Sequence, residues 1–100
     1  ARTRELIEDG HIYQDGVAAR LGISVATLRR RLSEEETSFR TLLHQVRFEE
    51  ATAMLERGRS VNQVSEQLDY SDIRAFNRAF KKWAGQTPAA FAKTIRPSER

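Results

Sequence analysis

The sequence predicts an all-α protein of seven helices. Apolar residues recur at spacings of three and four along the chain, which is the period of one helix face. Val, Ile and Thr never alternate with polar residues over a strand-length run, so no half-buried strand is predicted. The predicted helices cover about residues 2–9, 14–21, 24–35, 39–57, a segment beginning at 60, 73–84 and 88–95.

Each predicted helix is bounded by residues that favour helix ends. Side-chain oxygens of Ser, Thr and Asp accept hydrogen bonds from the free amides of a first turn, and glycine favours the backbone that closes a last turn. Ser60 and Gln63 have the spacing of a reciprocal capping box, and Pro88 suits a first helical position. N-caps are predicted at Ser24, Ser38, Ser60, Asp72 and Thr87, and glycine stops at Gly10, Gly22, Gly58 and Gly85.

A helix pair is repeated in the two halves of the chain. Residues 17–32 and 64–80 resemble each other once a single residue is inserted in the turn, so that Gly22 matches Asp69 and Leu28 matches Phe76. Each repeat is a short helix, a tight turn and a longer second helix, which is the helix-turn-helix pattern. In this motif the second helix enters a DNA major groove. Two repeats with basic outer faces are a more specific signal than one.

The outward face of each second helix carries side chains suited to base edges. A helix turns about 100° per residue, so Leu28 and Leu32 share the core side while residues 29 and 30 point outward. Arginine can bind guanine, and asparagine adenine, through paired hydrogen bonds. An ordinary solvated helix surface is the alternative interpretation. The predicted base-contacting residues are Ala26, Arg29, Arg30, Ile73, Arg74, Asn77 and Arg78.

A second set of residues is predicted to contact the DNA backbone. Arg31 lies on the opposite shoulder of its helix, at about 300° from Leu28, where a phosphate or a nearby glutamate is its expected partner. Phosphate contacts position a protein without specifying sequence. Val25, Ala26 and Ile73 can also touch thymine methyl groups. The predicted backbone-contacting residues are Val25, Thr27, Arg31, Ser38, Arg59, Ser60, Lys81 and Lys82.

The fourth helix is predicted to link the two repeats. Nineteen residues span about 28 Å, and successive major-groove entries on one face of DNA lie about 34 Å apart. A rigid rod of this length suits two recognition helices in adjacent grooves, so a monomer could bind an asymmetric site. The predicted organisation is a first helix-turn-helix subdomain over residues 1–37, a linker helix over 38–58 and a second subdomain over 59–96.

Four aromatic residues recur at helical spacing in the second repeat and after it. Such rings can stack on bases, but they lie on the side opposite the arginines, so we expect them to pack in the core. They are Phe76, Phe80, Trp83 and Phe91.

Composition excludes several classes of function. The chain has 100 residues, a net charge of +3 and no cysteine, so disulfides and thiolate metal sites are excluded. No apolar run approaches the roughly 18 residues of a membrane span. His11 and His44 lie in different elements, and neither a phosphate loop nor a nucleophile elbow is present. We therefore predict no enzyme activity, metal or cofactor. A protein-interaction module stays open, but it would lack the salt-dependent duplex affinity of a DNA-binding protein.

Two stretches of the sequence carry a family resemblance. The first is VAARLGISVATLRRRL, followed by TSF. The second is VNQVSEQLDYSDIRAFNRAFKKWAGQTPAAF, preceded in the linker by Arg47, Ala51 and Leu55. Together they resemble the DNA-binding domain of the AraC/XylS family of bacterial transcription regulators, over nearly the whole chain. The resemblance implies seven helices, two helix-turn-helix subdomains and transcriptional regulation, most often activation, by contact with double-stranded promoter DNA.

The resemblance also implies partners and a location. Many family members carry an N-terminal sensing or dimerisation domain, so we expect this chain, which begins at Ala1, to be the C-terminal part of a longer regulator. Contact with RNA polymerase is compatible with that role, and the expected location is the cytoplasm, at the nucleoid. For Arg47, the resemblance leaves an internal ion pair and a phosphate contact equally open.

Three residues depart from the family pattern. Asp69 stands where glycine is usual, Ser65 where alanine is usual, and Ala92 where arginine is frequent. Aspartate tolerates a left-handed backbone better than most residues, so we expect the turn at Asp69 to form at some cost in stability. The three departures bear on stability more than on function.

Overall fold

Seven helices form the architecture of the computed structural model, which describes residues 2–95. The prediction of an all-α chain is confirmed, because the described residues contain seven helices and no strand. Three predicted helices end one residue earlier than expected, which is ordinary fraying at a C-terminus. The helices are α1 Arg2–Glu8, α2 Gln14–Leu21, α3 Val25–Glu34, α4 Phe39–Glu56, α5 Val61–Gln67, α6 Ile73–Ala84 and α7 Pro88–Ile95.

The predicted N-caps form hydrogen bonds at the starts of five helices. Ser60 accepts from the Gln63 amide at 3.1 Å, while the Gln63 side chain accepts from the Ser60 amide at 2.9 Å. This reciprocal pair confirms the capping box. The caps at Ser24, Ser38, Asp72 and Thr87 accept from the amides of Thr27, Thr41, Ala75 and Ala90, each three residues on.

Several helices end at a residue with a left-handed backbone conformation, and two backbone hydrogen bonds close the last turn there. After α2, the Gly22 amide donates to Ala19 and the Ile23 amide donates to Ala18, which is the Schellman motif. The same pattern closes α5 at Asp69, where φ is +64°. Glu36, after α3, has φ of +62°. These two residues adopt a conformation that glycine tolerates best, and the expectation that aspartate would support the turn is confirmed.

The chain folds as two compact units that divide between Val46 and Arg47, within α4. We call residues 2–46 the first unit and residues 47–95 the second unit. The core of the first unit comes from α1, α2, α3 and the first part of α4. Its buried residues are Leu6, Ile7, Val17, Ala18, Leu28, Leu32, Phe39 and Val46.

The second unit has a core built largely from aromatic rings. Phe76 and Phe80 are fully buried, and the Phe80 ring lies 5.5 Å from Phe91 and 6.2 Å from Trp83 between centroids. These distances are in the range of favourable aromatic pairs. The expectation that the four aromatic residues pack in the core is confirmed. The buried residues of this cluster are Ala51, Met54, Leu55, Val64, Leu68, Phe76 and Phe80.

Two further observations bear on the sequence expectations. Ser65 is buried, with 4% of its surface exposed, as expected for a position where the family usually has alanine. None of the helices between residues 2 and 95 combines the length and the apolar character needed to cross a membrane.

Candidate nucleic-acid interface

The predicted recognition helix of the first unit is α3, and its orientation follows from two buried leucines. Leu28 and Leu32 lie in the core of the first unit, so the opposite side of α3 faces solvent. Ala26, Arg29 and Arg30 are exposed on that side, where the helical count places them. The Ser24 cap fixes the start of the helix, because its hydroxyl oxygen lies 3.0 Å from the Thr27 amide.

The arginines of α3 have different partners. The Nε of Arg29 donates a hydrogen bond to Oε1 of Gln14, at the start of α2, over 3.3 Å. The Nε of Arg30 lies 3.8 Å from Oε2 of Glu34, and both side chains are about two-thirds exposed. Arg30 and Glu34 are four residues apart and are therefore neighbours on the helix. The partner of Arg31, a phosphate or a nearby glutamate, remains a prediction.

Val25 and Thr27, two of the predicted backbone-contacting residues, also serve the fold. Val25 is half-buried and packs against the core of the first unit. The half-buried Thr27 side chain accepts a hydrogen bond from the Ser24 hydroxyl at 3.0 Å. Their contacts with DNA remain predictions, as does that of the exposed Arg31.

The predicted recognition helix of the second unit is α6, which repeats the arrangement of α3. Phe76 and Phe80 lie in the core, so Arg74 and Arg78 are exposed on the opposite side. Ile73 is 37% exposed at the first position of the helix. The Asp72 carboxylate caps this turn, accepting from the Ala75 amide at 2.8 Å.

Among the predicted base-contacting residues, Asn77 is less accessible than the helical count predicts. It is half-buried, whereas Arg29, at the equivalent position of the first repeat, is exposed. Both residues lie about 100° from the core direction, at the edge of the buried face. A short amide side chain stays near this edge, while a long arginine side chain extends beyond it.

The remaining predicted backbone contacts lie at helix ends. Lys81 and Lys82 are exposed in the last turn of α6, and Arg59 is exposed before α5. Ser38 and Ser60 already use their hydroxyl oxygens as caps. The Ser38 hydroxyl also donates to Oγ1 of Thr41, and the Ser60 amide donates to Oε1 of Gln63, so any phosphate contact there would involve the Ser60 hydroxyl hydrogen or other amides of the helix starts.

Two interactions join side chains that the sequence does not connect. The guanidinium carbon of Arg47 lies 4.9 Å from the centre of the Tyr70 ring, a cation–π contact that was neither of the expected alternatives for Arg47. Gln14 contacts Arg29 across the turn of the first repeat. No spacing rule within one helix would reveal either pair.

The described surface of α3 and α6 is rich in cationic side chains. Among residues 2–95 no group of three His, Asp or Glu side chains is arranged to hold a metal ion. The exposed side chains of α3 and α6 are mainly guanidinium and ammonium groups, which form charge-assisted hydrogen bonds with phosphates and paired bonds with guanine.

Comparison with known proteins identifies relatives across most of the chain. A family model described as a helix-turn-helix domain matches residues 17–94. An HTH-type transcriptional regulator of Mycobacterium tuberculosis is 44% identical over 78 residues, which cover 77% of this chain and 23% of the relative. The chain thus spans about a quarter of the length of that relative.

Solved structures have the same fold. A DNA-binding transcriptional dual regulator from Escherichia coli K-12 gives a TM-score of 0.88 at 25% identity, covering 96% of this chain and 90% of that chain. The C-terminal domain of AraT, a response regulator from Geobacillus stearothermophilus, gives a TM-score of 0.83 at 28% identity, covering 93% and 82%.

The family match covers both helix-turn-helix repeats, including α3 and α6. The relatives are transcription regulators, and one structural neighbour is described as DNA-binding. This chain belongs to the AraC-type family of bacterial helix-turn-helix transcription regulators, of which it is a DNA-binding domain.

Proposed function

We propose that this domain reads a specific promoter sequence by placing α3 and α6 in the major groove. The observation that supports the proposal is the matched exposure of the two helices. Each buries two large apolar residues one turn apart and presents arginines on the opposite side, at Arg29 and Arg30 in one unit and Arg74 and Arg78 in the other. A recognition helix in the major groove uses such a face for base contacts.

The length of α4 supports binding to two adjacent grooves. This helix has 18 residues and therefore spans about 27 Å. Successive major-groove entries on one face of DNA are about 34 Å apart, and side chains extend the reach of each recognition helix. We propose that one copy of the domain covers about 20 base pairs, or roughly two turns of DNA.

The domain is proposed to act within a longer regulator. It spans about a quarter of the mycobacterial relative, and the equivalent part of AraT is described as a C-terminal domain. A sensing or dimerisation domain would then precede this chain, and contact with RNA polymerase would link DNA binding to transcription. These partners belong to the proposal.

Selection from random duplexes tests sequence-specific binding. The wild-type domain is expected to enrich one asymmetric motif. Arg30→Ala should relax preference in one half of it and Arg78→Ala in the other, each at a cost of about 1–3 kcal/mol for the favoured base pair. Arg20→Ala, which removes an exposed arginine of α2, is the control and should leave the motif unchanged. Wild-type motif and affinity in both test variants would refute the assignment.

Footprinting and salt dependence test the mode of binding. Hydroxyl-radical protection is expected in two segments about one helical turn apart, and protection of a single segment would contradict binding in two grooves. Affinity for duplex DNA should fall steeply with salt as counterions are released. A domain that only binds proteins would show no such duplex affinity.

A further inference from the structure

The side chain of Gln14 connects α2 to the DNA-facing side of α3. Its Oε1 accepts a hydrogen bond from Nε of Arg29 at 3.3 Å. Gln14 is half-buried at the first position of α2, and Arg29 is exposed in the middle of α3. This bond therefore joins the amide of a half-buried glutamine to the guanidinium group of a long, exposed arginine.

The position of this bond on the guanidinium group determines which donors stay available. Arginine has one Nε–H and four terminal N–H donors in a planar fork. Because Gln14 occupies Nε, the two terminal nitrogens remain free to point away from α2. Those nitrogens form a pair that matches the O6 and N7 acceptors of guanine. Because Gln14 holds the guanidinium group of Arg29 before DNA binds, less side-chain entropy is lost on binding.

The second repeat offers a natural comparison. By the match of Val17 with Val64, the position equivalent to Gln14 is Val61, which packs against the core of the second unit. The position equivalent to Arg29 is Asn77, a shorter and half-buried side chain. The arrangement of Gln14 and Arg29 is thus a feature of the first repeat, where a long side chain must be oriented.

We infer that Gln14 is a positioning residue that sets the base preference of Arg29 without contacting a base. The inference rests on the proposed function, because it requires Arg29 to lie in the major groove. It assigns a role in specificity to α2, a helix that bears none of the predicted base-contacting residues.

Gln14→Met tests the inference, since methionine keeps the length of the side chain and lacks the amide. Gln45→Met, at an exposed glutamine of α4, is the matched control. Preference at the base pair that depends on Arg29 is expected to fall about threefold to tenfold, the range of one net hydrogen bond. Helical circular dichroism, nonspecific affinity and the salt slope should match those of the wild type. Gln45→Met should leave the motif unchanged.

Two further variants separate positioning from other roles. In an Arg29→Ala background, Gln14→Met should cause no further change in base preference, because the group it orients is absent. Gln14→Glu should retain the preference while weakening binding to all duplexes, since a carboxylate still accepts from Nε but repels phosphates.

Three results would overturn the inference in distinguishable ways. One is a wild-type motif that depends on Arg29 and that Gln14→Met leaves unchanged. That result would refute the positioning role of Gln14 and leave the proposed function intact. An equal loss of affinity for all sequences with an unchanged salt slope would show that Gln14 contacts a phosphate instead, because an uncharged amide releases no counterion. If the wild-type domain selects no motif, the proposed function fails and the inference fails with it.

Discussion

Exchanging the turn residues of the two repeats should change their stabilities in opposite directions. Gly22 and Asp69 occupy the same place in the repeat and have the same left-handed backbone, with φ of +73° and +64°. The hydrogen-bond pattern that closes the preceding helix is also the same at both. We expect Asp69→Gly to stabilise the second unit and Gly22→Asp to destabilise the first.

The magnitude follows from two opposing costs. A left-handed conformation costs a residue with a Cβ roughly 1–2 kcal/mol, with aspartate at the low end. Glycine costs about 0.5–1 kcal/mol more chain entropy on folding. The net gain for Asp69→Gly is therefore at most about 0.5 kcal/mol. A Cβ at Gly22 would meet no atom within 4 Å, so Gly22→Asp should lose a similar amount through backbone strain alone.

Urea unfolding followed by tryptophan fluorescence measures the effect in the second unit. Trp83 is the single tryptophan of the chain, and its ring lies 6.2 Å from Phe80 in the second core. With a slope of about 1 kcal/mol per molar urea, the midpoint for Asp69→Gly should rise by up to about 0.5 M. For Gly22→Asp, the midpoint of the helical circular dichroism signal should fall. A midpoint that falls for Asp69→Gly would refute the strain argument.

Three other substitutions give measurable outcomes. Asp72→Ala removes the cap of α6 and should lower the free energy of unfolding by about 1 kcal/mol in the same fluorescence assay. Asp72→Asn should retain most of the stability, and equal losses for the two variants would argue against capping. Phe80→Ala removes a fully buried ring and should lower the free energy of unfolding by about 3–5 kcal/mol. The loss should be visible as a weaker near-ultraviolet circular dichroism signal, and a native spectrum would contradict this packing. Glu34→Gln removes the carboxylate beside Arg30 and should raise the DNA affinity at low salt, by an amount that decreases as the salt concentration rises. A lower affinity at low salt would contradict the expectation.

The sequence alone determined the helices and the outward faces of α3 and α6. Helix caps depend on residues three apart, such as Ser60 and Gln63, so the relevant partners lie within one short stretch of the sequence. The buried side of α6 follows from the period of the helix, which brings Phe76 and Phe80 together. The left-handed turn at Asp69 was equally predictable, because it could be compared with Gly22 in the other repeat.

The tertiary structure decided which side chains from different helices meet. Gln14 and Arg29 are 15 residues apart, and their contact depends on how α2 packs against α3. The stacking of Arg47 on Tyr70 likewise depends on the packing of the second unit, and so does the partial burial of Asn77. Short-range spacing fixes the direction of a side chain from its own helix. Its partner on another helix depends on the relative placement of the two backbones, which follows from the packing of the whole core.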